Sequence, residues 1–215
     1  MSLPTILPLF PLPNVVLFPQ VLLPLHIFEP RYREMVKDVE ASEGLIGMIL
    51  LRGEEDGGAG GRDVYRVGCA GRMVRKVDLP DGRSNILLQG VREFLPREQH
   101  FERRYRTAVV DWRPAVASDF HLDSATRQRL IGRIRAFVQK ERESGLSLLD
   151  DPTLRDEMLI NLFAFALDFP VAEKQSLLEI DDIAARASRL LDTLEFHALE
   201  REFSPAVEAA KSRVQ

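Results

Sequence analysis

Cysteine is almost absent from the sequence: Cys69 is the only one in 215 residues. A single thiol excludes an internal disulfide and a cysteine-rich zinc site, and it favours a reducing compartment, for which we expect the cytoplasm. An excess of positive charge is also missing, since 29 Lys and Arg stand against 33 Asp and Glu, giving a net charge of -4. Because nonspecific binding to nucleic acid needs a basic surface, this composition disfavours a nucleic-acid partner.

The motifs that would carry catalysis are absent as well. No lysine ends a G-x-x-x-x-G-K-[ST] loop, so nothing would cradle the phosphates of ATP, and no serine stands in a glycine-flanked elbow. The four histidines are far apart and fit no H-E-x-x-H pattern. We therefore predict no catalytic residue, no metal site and no cofactor. His197 and Cys69 are interpreted as packed residues, not as a ligand and a nucleophile.

The apolar segment at residues 3–28 raises the question of a signal peptide or a membrane helix. No Lys or Arg precedes Arg31, so the basic stretch of a secretory signal is missing. Seven of the 13 prolines fall in the first thirty positions, and each proline inside a helix costs about 3 kcal/mol. The other apolar run, residues 158–167, is shorter than the roughly 20 residues that cross a bilayer. We expect no insertion into a membrane.

Residues 1–116 are predicted to form a β-rich lobe. One helix is expected at residues 30–39, where Tyr32 belongs to an apolar set with helical spacing. Asp81-Gly82 lies between two apolar segments and predicts a long hairpin. Residues 53–61 contain no apolar side chain larger than alanine and are predicted to be a mobile surface loop. Strands are expected at 6–10, 15–18, 21–28, 45–51, 64–79, 85–95 and 104–112.

Residues 117–215 are predicted to form a helical lobe, because the apolar residues change to helical spacing. The clearest stripe runs from Ile183 to Ala198. Asp151-Pro152 and Ser204-Pro205 each predict a helix start, and Asp181 is expected to cap the helix that bears the stripe. The whole chain is therefore predicted to be an α+β protein with strands first and helices second.

Two segments are candidate binding surfaces. Residues 97–106 carry four arginines interleaved with Phe101 and Tyr105, a pattern that would suit RNA. Because the whole chain is acidic, we favour a solvated strand with inward-facing aromatics. The uncharged segment 12–19 would bind unfolded or extended polypeptide if its turn presents Val15, Val16 and Phe18 at the surface. The alternative is that these three side chains fill the core of the strand lobe.

Six segments, taken together, carry a family resemblance. They read LPLFPLPNVVLFP at 7–19, LPLHIFEPRY at 23–32, VGCAG at 67–71, LPDGR at 79–83, LQGVREF at 88–94 and FPVAEKQSLLE at 169–179. In this order they resemble the Lon substrate-binding domain, the N-terminal domain of Lon proteases. The likeness covers about residues 5–200. It implies a β-barrel-like lobe of the PUA-like kind followed by a helical bundle, and a role in recognising protein substrates.

We therefore interpret the chain as a stand-alone, non-catalytic binding module without the ATPase and peptidase parts of a Lon protease. Its expected partners are unfolded or extended polypeptide clients, with delivery to a separate ATP-dependent protease left open. Two alternatives remain: an RNA-binding PUA-like protein, and a hydrolase whose site forms only in three dimensions. The oligomeric state is not predicted. The expected peptide-binding residues are Val15, Val16, Phe18, His26, Phe28 and Tyr32. The alternative for the last three is that they only join the strand lobe to its first helix.

Overall fold

The structure is a computed structural model that describes residues 3–53, 64–138 and 146–211, the last ten of these by their backbone alone. The predicted mobile loop at 53–61 lies, apart from Gly53, outside the described residues. No helix in the described parts of the chain is long and apolar enough to cross a membrane.

The strand lobe is a sheet that closes on itself. Its order is β2-β5-β4-β3-β1-β6, and β6 also pairs with β5, which closes a ring of β1, β3, β4, β5 and β6. β2 is attached outside this ring, along the first part of β5. The predicted β-barrel-like lobe is confirmed. The strands are β1 (Ile6–Leu12), β2 (Leu22–Ile27), β3 (Leu45–Leu50), β4 (Gly68–Asp78), β5 (Ser84–His100) and β6 (Arg106–Trp112).

The hairpin between β4 and β5 forms where Asp81-Gly82 predicted it. Gly82 has φ 78°, a left-handed conformation that glycine adopts without a steric penalty. Leu79 N–H donates to the Arg83 carbonyl at 2.8 Å, and Arg83 N–H donates to the Asp81 carboxylate at 3.1 Å. The predicted strand at 15–18 is wrong, because these residues form no strand and lie in the connection between β1 and β2.

The helical part follows the strands, as expected for the α+β class. Asp123 caps α2 by accepting from Thr126 N–H. α5 is capped by Asp182, not Asp181, since Asp182 accepts from Ala185 N–H. Asp151 accepts from Thr153 in a turn, so it starts no helix, and α5 continues through 204–205. The helices are α1 (Pro30–Glu40), α2 (Ser124–Phe137), α3 (Asp156–Ala166), α4 (Val171–Glu179) and α5 (Ile183–Lys211).

Two apolar clusters hold the fold together. The smaller cluster takes residues from every strand of the ring, with Phe94 fully buried among them, and it fills the barrel. The larger cluster is continuous from the strand lobe into the helical lobe: it includes Phe18 and Ile27 as well as Leu130 and Leu190. The division at residue 116 therefore stays a prediction about domain bounds, whereas the core itself is shared by the two lobes.

Candidate functional site

The structure separates the six expected peptide-binding residues. Phe18, Tyr32 and Val16 lie in the core, with exposed fractions of 0%, 3% and 4%. The expectation that the segment 12–19 presents Val16 and Phe18 at the surface is therefore wrong, and Tyr32 packs against the ring of Phe10 at 4.1 Å between ring centroids. Val15 is partly buried, as a hydrophobic residue packed against the main core cluster. Only His26 and Phe28 remain exposed.

Phe18 is buried because its segment lies between the two lobes. Gly90 allows the backbone of Phe18 to lie close to β5, since a Cβ at position 90 would overlap with the carbonyl oxygen of Phe18. From the other side, the guanidinium of Arg186 on α5 lies over the Phe18 ring at 5.8 Å from its centroid. Gln20 then donates to Glu157 on α3 at 2.5 Å. The segment is a wedge that joins the lobes, and its apolar side chains belong to the core.

Exposed apolar side chains are found instead on β2. Leu23 and Ile27 are buried, whereas Leu22, Pro24 and His26 are exposed on the opposite face of the strand. Phe28 follows directly and is 58% exposed, and Leu22 is 50% exposed. We call this surface the β2 face, defined by Leu22, Pro24, His26 and Phe28. Leu22 and Pro24 were not expected in a site. Exposed and buried positions alternate along residues 22–28, as they do in a half-buried strand.

Hydrogen bonds orient His26 within the β2 face. Its Nδ1 lies 2.7 Å from Oδ1 of Asn85, the residue directly opposite on β5. Its Nε2 lies 3.4 Å from Nη1 of Arg83. The imidazole also stacks on Phe28, with ring centroids 6.1 Å apart. The polar residue of this face is therefore held in place by its neighbours, while the apolar side chains on either side of it point to solvent.

A groove of about 1020 Å³ between the lobes is the second candidate site. Its floor carries Glu93, which accepts hydrogen bonds from Arg113 at 2.9 Å and from Arg186 at 2.5 Å. All three charged side chains are nearly buried, and each arginine pairs with Glu93. These ion pairs therefore hold the lobes together. Apolar residues from both lobes complete the lining, among them Val91, Leu95, Trp112, Val116 and Phe120.

The groove offers no support to the hydrolase alternative. Among the described residues that line it there is no histidine, serine or cysteine. His197 does contact carboxylates, with Nε2 2.8 Å from Glu173 and Nδ1 3.0 Å from Glu200, but it is stacked on Phe169 at 5.2 Å and lies outside the groove. The prediction that it is a packed, hydrogen-bonded residue is confirmed. Cys69 is fully buried, and burial raises the pKa of its thiol, which opposes a nucleophilic role.

Acidic residues lie within ion-pair distance of three arginines of the candidate RNA segment, Arg97, Arg103 and Arg104. Arg103 donates to Asp38 at 2.5 Å and Arg104 lies 3.7 Å from Glu34, both on α1. Tyr105 is buried and donates its hydroxyl to Asp38 at 2.6 Å, so its ring is no platform for a base. Burial, followed by the hydrogen bond to Asp38, raises the pKa of Tyr105 to about 12. Phe101, by contrast, is 42% exposed, so the expected inward orientation is wrong for this aromatic residue.

A closed β-barrel lobe that shares its core with a helical lobe defines the class of protein as a two-lobed α+β domain. Residues 6–195 match the family described as the ATP-dependent protease La (LON) substrate-binding domain. The chain therefore belongs to this family.

The relatives in this family are much longer proteins. The chain is 31% identical over 206 residues to a Lon protease of Flavobacterium johnsoniae, covering 93% of this chain and 24% of the relative. It is 28% identical to a Lon protease of Anaeromyxobacter dehalogenans, covering 100% of this chain and 26% of the relative. The chain thus spans about a quarter of the length of the curated relatives that it matches.

Solved structures agree with the fold. A Lon N-terminal domain protein from Xanthomonas campestris is 25% identical, with a TM-score of 0.68, and the match covers 87% of this chain and 98% of that one. The N-terminal domain of a Mycobacterium avium complex Lon protease has a TM-score of 0.70 at 17% identity, over 89% and 99% of the two chains. The strand lobe and the helical lobe therefore occur together in solved Lon N-terminal domains.

Proposed function

We propose that this chain is a non-catalytic module that binds unfolded or extended segments of other proteins through the β2 face. Membership of the substrate-binding domain family supports the general role. The observation that carries the location is the row of exposed side chains on one face of β2, continued by Phe28. Phe28 and Leu22 each leave half or more of their surface exposed.

The chemistry of the β2 face suits unfolded protein better than a charged ligand. Leu22, Pro24 and Phe28 are apolar, and His26 is the only ionisable side chain among the four. Burial of apolar surface is non-directional, at roughly 25 cal/mol per Å². A partner therefore needs exposed hydrophobic side chains more than a particular sequence. Unfolded chains have such side chains exposed, whereas folded proteins bury most of theirs.

Binding to a permanently unfolded protein tests the proposal. We would measure the fluorescence anisotropy of labelled, reduced and carboxymethylated α-lactalbumin with the wild-type chain and with the double variant Leu22→Ser plus Phe28→Ser. Because both side chains are exposed, the variant is expected to keep its fold. Its affinity should fall by about tenfold or more, since each large buried apolar side chain contributes roughly 1.5–3 kcal/mol.

Ile6→Ser is the matched control. Ile6 is 54% exposed on β1, so this variant also removes an exposed apolar side chain from a strand, but outside the β2 face. Its affinity should equal that of the wild type. The proposal is contradicted if the double variant binds as the wild type does, or if Ile6→Ser weakens binding to the same extent.

We propose further that the module acts in the cytoplasm as an adaptor that delivers its clients to a separate ATP-dependent protease. The similarity to Lon proteases supports this direction. Chemical cross-linking in cells should join the chain to an ATP-dependent protease, and the Leu22→Ser plus Phe28→Ser variant should keep this partner while it loses its clients. Loss of both partners together would contradict separate sites for client and protease.

A further inference from the structure

The exposed edge of β2 indicates which conformation a client adopts when it binds. β2 is the end strand of the sheet, and within the described residues it pairs only with β5. A strand at the edge of a sheet has unpaired backbone N–H and C=O groups along one side, and these groups are a template for another strand. The edge of β2 lies beside the side chains of the β2 face, so a single ligand segment can contact both.

The register identifies which backbone groups of β2 are unpaired. Gly90 N–H donates to the Val21 carbonyl at 2.9 Å, so the carbonyl of this odd-numbered residue is directed towards β5, while the Gly90 carbonyl accepts from Gln20 N–H at 2.8 Å. In an antiparallel ladder, hydrogen-bonded pairs alternate with pairs that lack hydrogen bonds. With Leu23 opposite Leu88 and Leu25 opposite Ile86, the odd-numbered residues of β2 bond to β5. The backbone groups of Leu22, Pro24 and His26 are directed to the open edge.

The position of Pro24 agrees with this assignment. Pro24 also reduces the number of backbone donors at the open edge. Proline has no N–H, so it is tolerated in a sheet where the missing donor would face solvent. Leu22 and His26 therefore present both N–H and C=O at the edge, whereas Pro24 between them presents only C=O. An edge interrupted in this way pairs weakly with identical edges, which reduces aggregation, but it still accepts a strand from another chain.

We infer that clients bind as an added strand along the open edge of β2, with alternate side chains packed on the β2 face. This inference rests on the proposed function and specifies its ligand: an extended segment in which apolar and polar residues alternate. The strand pairs through its own backbone with Leu22, Pro24 and His26. Its apolar side chains, on one face only, meet Leu22 and Phe28. A helical segment lacks free backbone groups and would form none of these hydrogen bonds.

Backbone methylation of a ligand peptide tests the inference without changing any side chain. The probe is a labelled synthetic peptide of about nine residues, in which Val or Phe alternates with Lys or Ser, a length typical of strands. Two methylated versions are needed. One carries N-methyl groups on the odd-numbered residues and the other on the even-numbered residues. In an extended strand these two sets of N–H groups point to opposite sides, so only one set can face β2.

Strand addition predicts that one methylated peptide loses at least tenfold in affinity while the other binds as the unmethylated peptide does. Docking by side chains alone predicts equal affinities, and equal effects of the two sets would overturn the inference. If the unmethylated peptide fails to bind while carboxymethylated α-lactalbumin binds, the inference fails and the proposed function stands; if neither binds, the proposed function itself fails.

A variant of β2 gives a second measurement. Pro24→Val supplies the missing N–H and keeps an apolar side chain at the same position of the β2 face. It should tighten binding of the unmethylated peptide by about threefold to tenfold, because one more backbone hydrogen bond can form. Unchanged or weaker binding by a folded Pro24→Val variant would contradict strand addition.

Discussion

Arg186 on α5 donates a hydrogen bond of 2.5 Å from Nη2 to Oε1 of Glu93 on β5, across 93 residues of sequence. The other carboxylate oxygen of Glu93 accepts from Nη1 of Arg113 at 2.9 Å. Both guanidiniums also donate to the carbonyl of Leu178 near the end of α4, where the helix dipole places partial negative charge. One buried carboxylate therefore connects the strand lobe to two arginines that hold the helical lobe in place.

Glu93→Gln should destabilise the fold strongly. The substitution keeps the size of the side chain but leaves Arg113 and Arg186 without their shared negative charge, and breaking a buried ion pair from one side costs about 3–5 kcal/mol. Denaturant unfolding monitored by circular dichroism would measure this cost. Asp111→Asn is the matched control, because Asp111 pairs with Arg97 at an exposed site. It should cost less than about 1 kcal/mol. Equal effects of the two variants would contradict the assigned role of Glu93.

Phe18→Ala and Phe28→Ala should separate a core residue from a binding residue. Phe18 is fully buried, and its truncation should lower the free energy of unfolding by about 3–5 kcal/mol. Phe28 is 58% exposed, so its truncation should change that free energy by less than about 0.5 kcal/mol. Thermal or denaturant unfolding of both variants checks the contrast. A stable Phe18→Ala variant would mean that the wedge between the lobes is not part of the core.

Substitution of glycine by alanine is predicted to change the stability of the fold in opposite directions at two positions. Gly90→Ala should destabilise the fold, since the added Cβ would overlap with the backbone of Phe18 and push the wedge away from β5. Gly132 lies inside α2, and nothing lies within 4 Å of a Cβ at that position. Gly132→Ala should therefore stabilise the fold by about 0.5–1 kcal/mol, through helix propensity alone. Melting temperatures that move in the same direction for the two variants would contradict this packing.

Tyr105 should make stability depend on alkaline pH. Its pKa is raised from 10.0 to about 12 in the folded chain, so the folded state prefers the protonated phenol that donates to Asp38. A group with a raised folded pKa stabilises fully below its unfolded pKa, and this contribution is lost as pH rises from about 10 to 12. We expect Tyr105→Phe to be less stable than the wild type at pH 8. The difference should shrink as pH rises from 10 to 12. A difference that stays constant across this range would contradict the assignment.

Local patterns predicted much of the fold. Asp81-Gly82 predicted the hairpin because its turn needs a left-handed residue, and Pro30 with its apolar spacing predicted α1. These signals are local, since the residues that determine the structure are neighbours in sequence. The start of α5 was misplaced by one residue because Asp181 and Asp182 are adjacent carboxylates, and only the hydrogen bond to Ala185 distinguishes them.

The candidate site was harder to predict because exposure depends on distant residues. Phe18 resembles a surface residue in an uncharged, proline-rich segment, and its burial requires Gly90 and Arg186, which sequence alone does not bring together. His26 and Phe28 were expected in the site, and both are exposed on the β2 face. Leu22 and Pro24 complete the β2 face. Because apolar residues stand on both sides of β2, the sequence does not show which side is exposed.

The most direct test of the account is the location of a bound unfolded protein on the chain. Backbone amide chemical shifts would be recorded by NMR for the isotope-labelled chain, alone and with reduced, carboxymethylated α-lactalbumin. We predict that the largest shift changes lie at residues 22–28 and at their partners 84–89 on β5. Changes centred on the groove between the lobes, at Val91, Trp112 and Val116, with none on β2, would contradict the account.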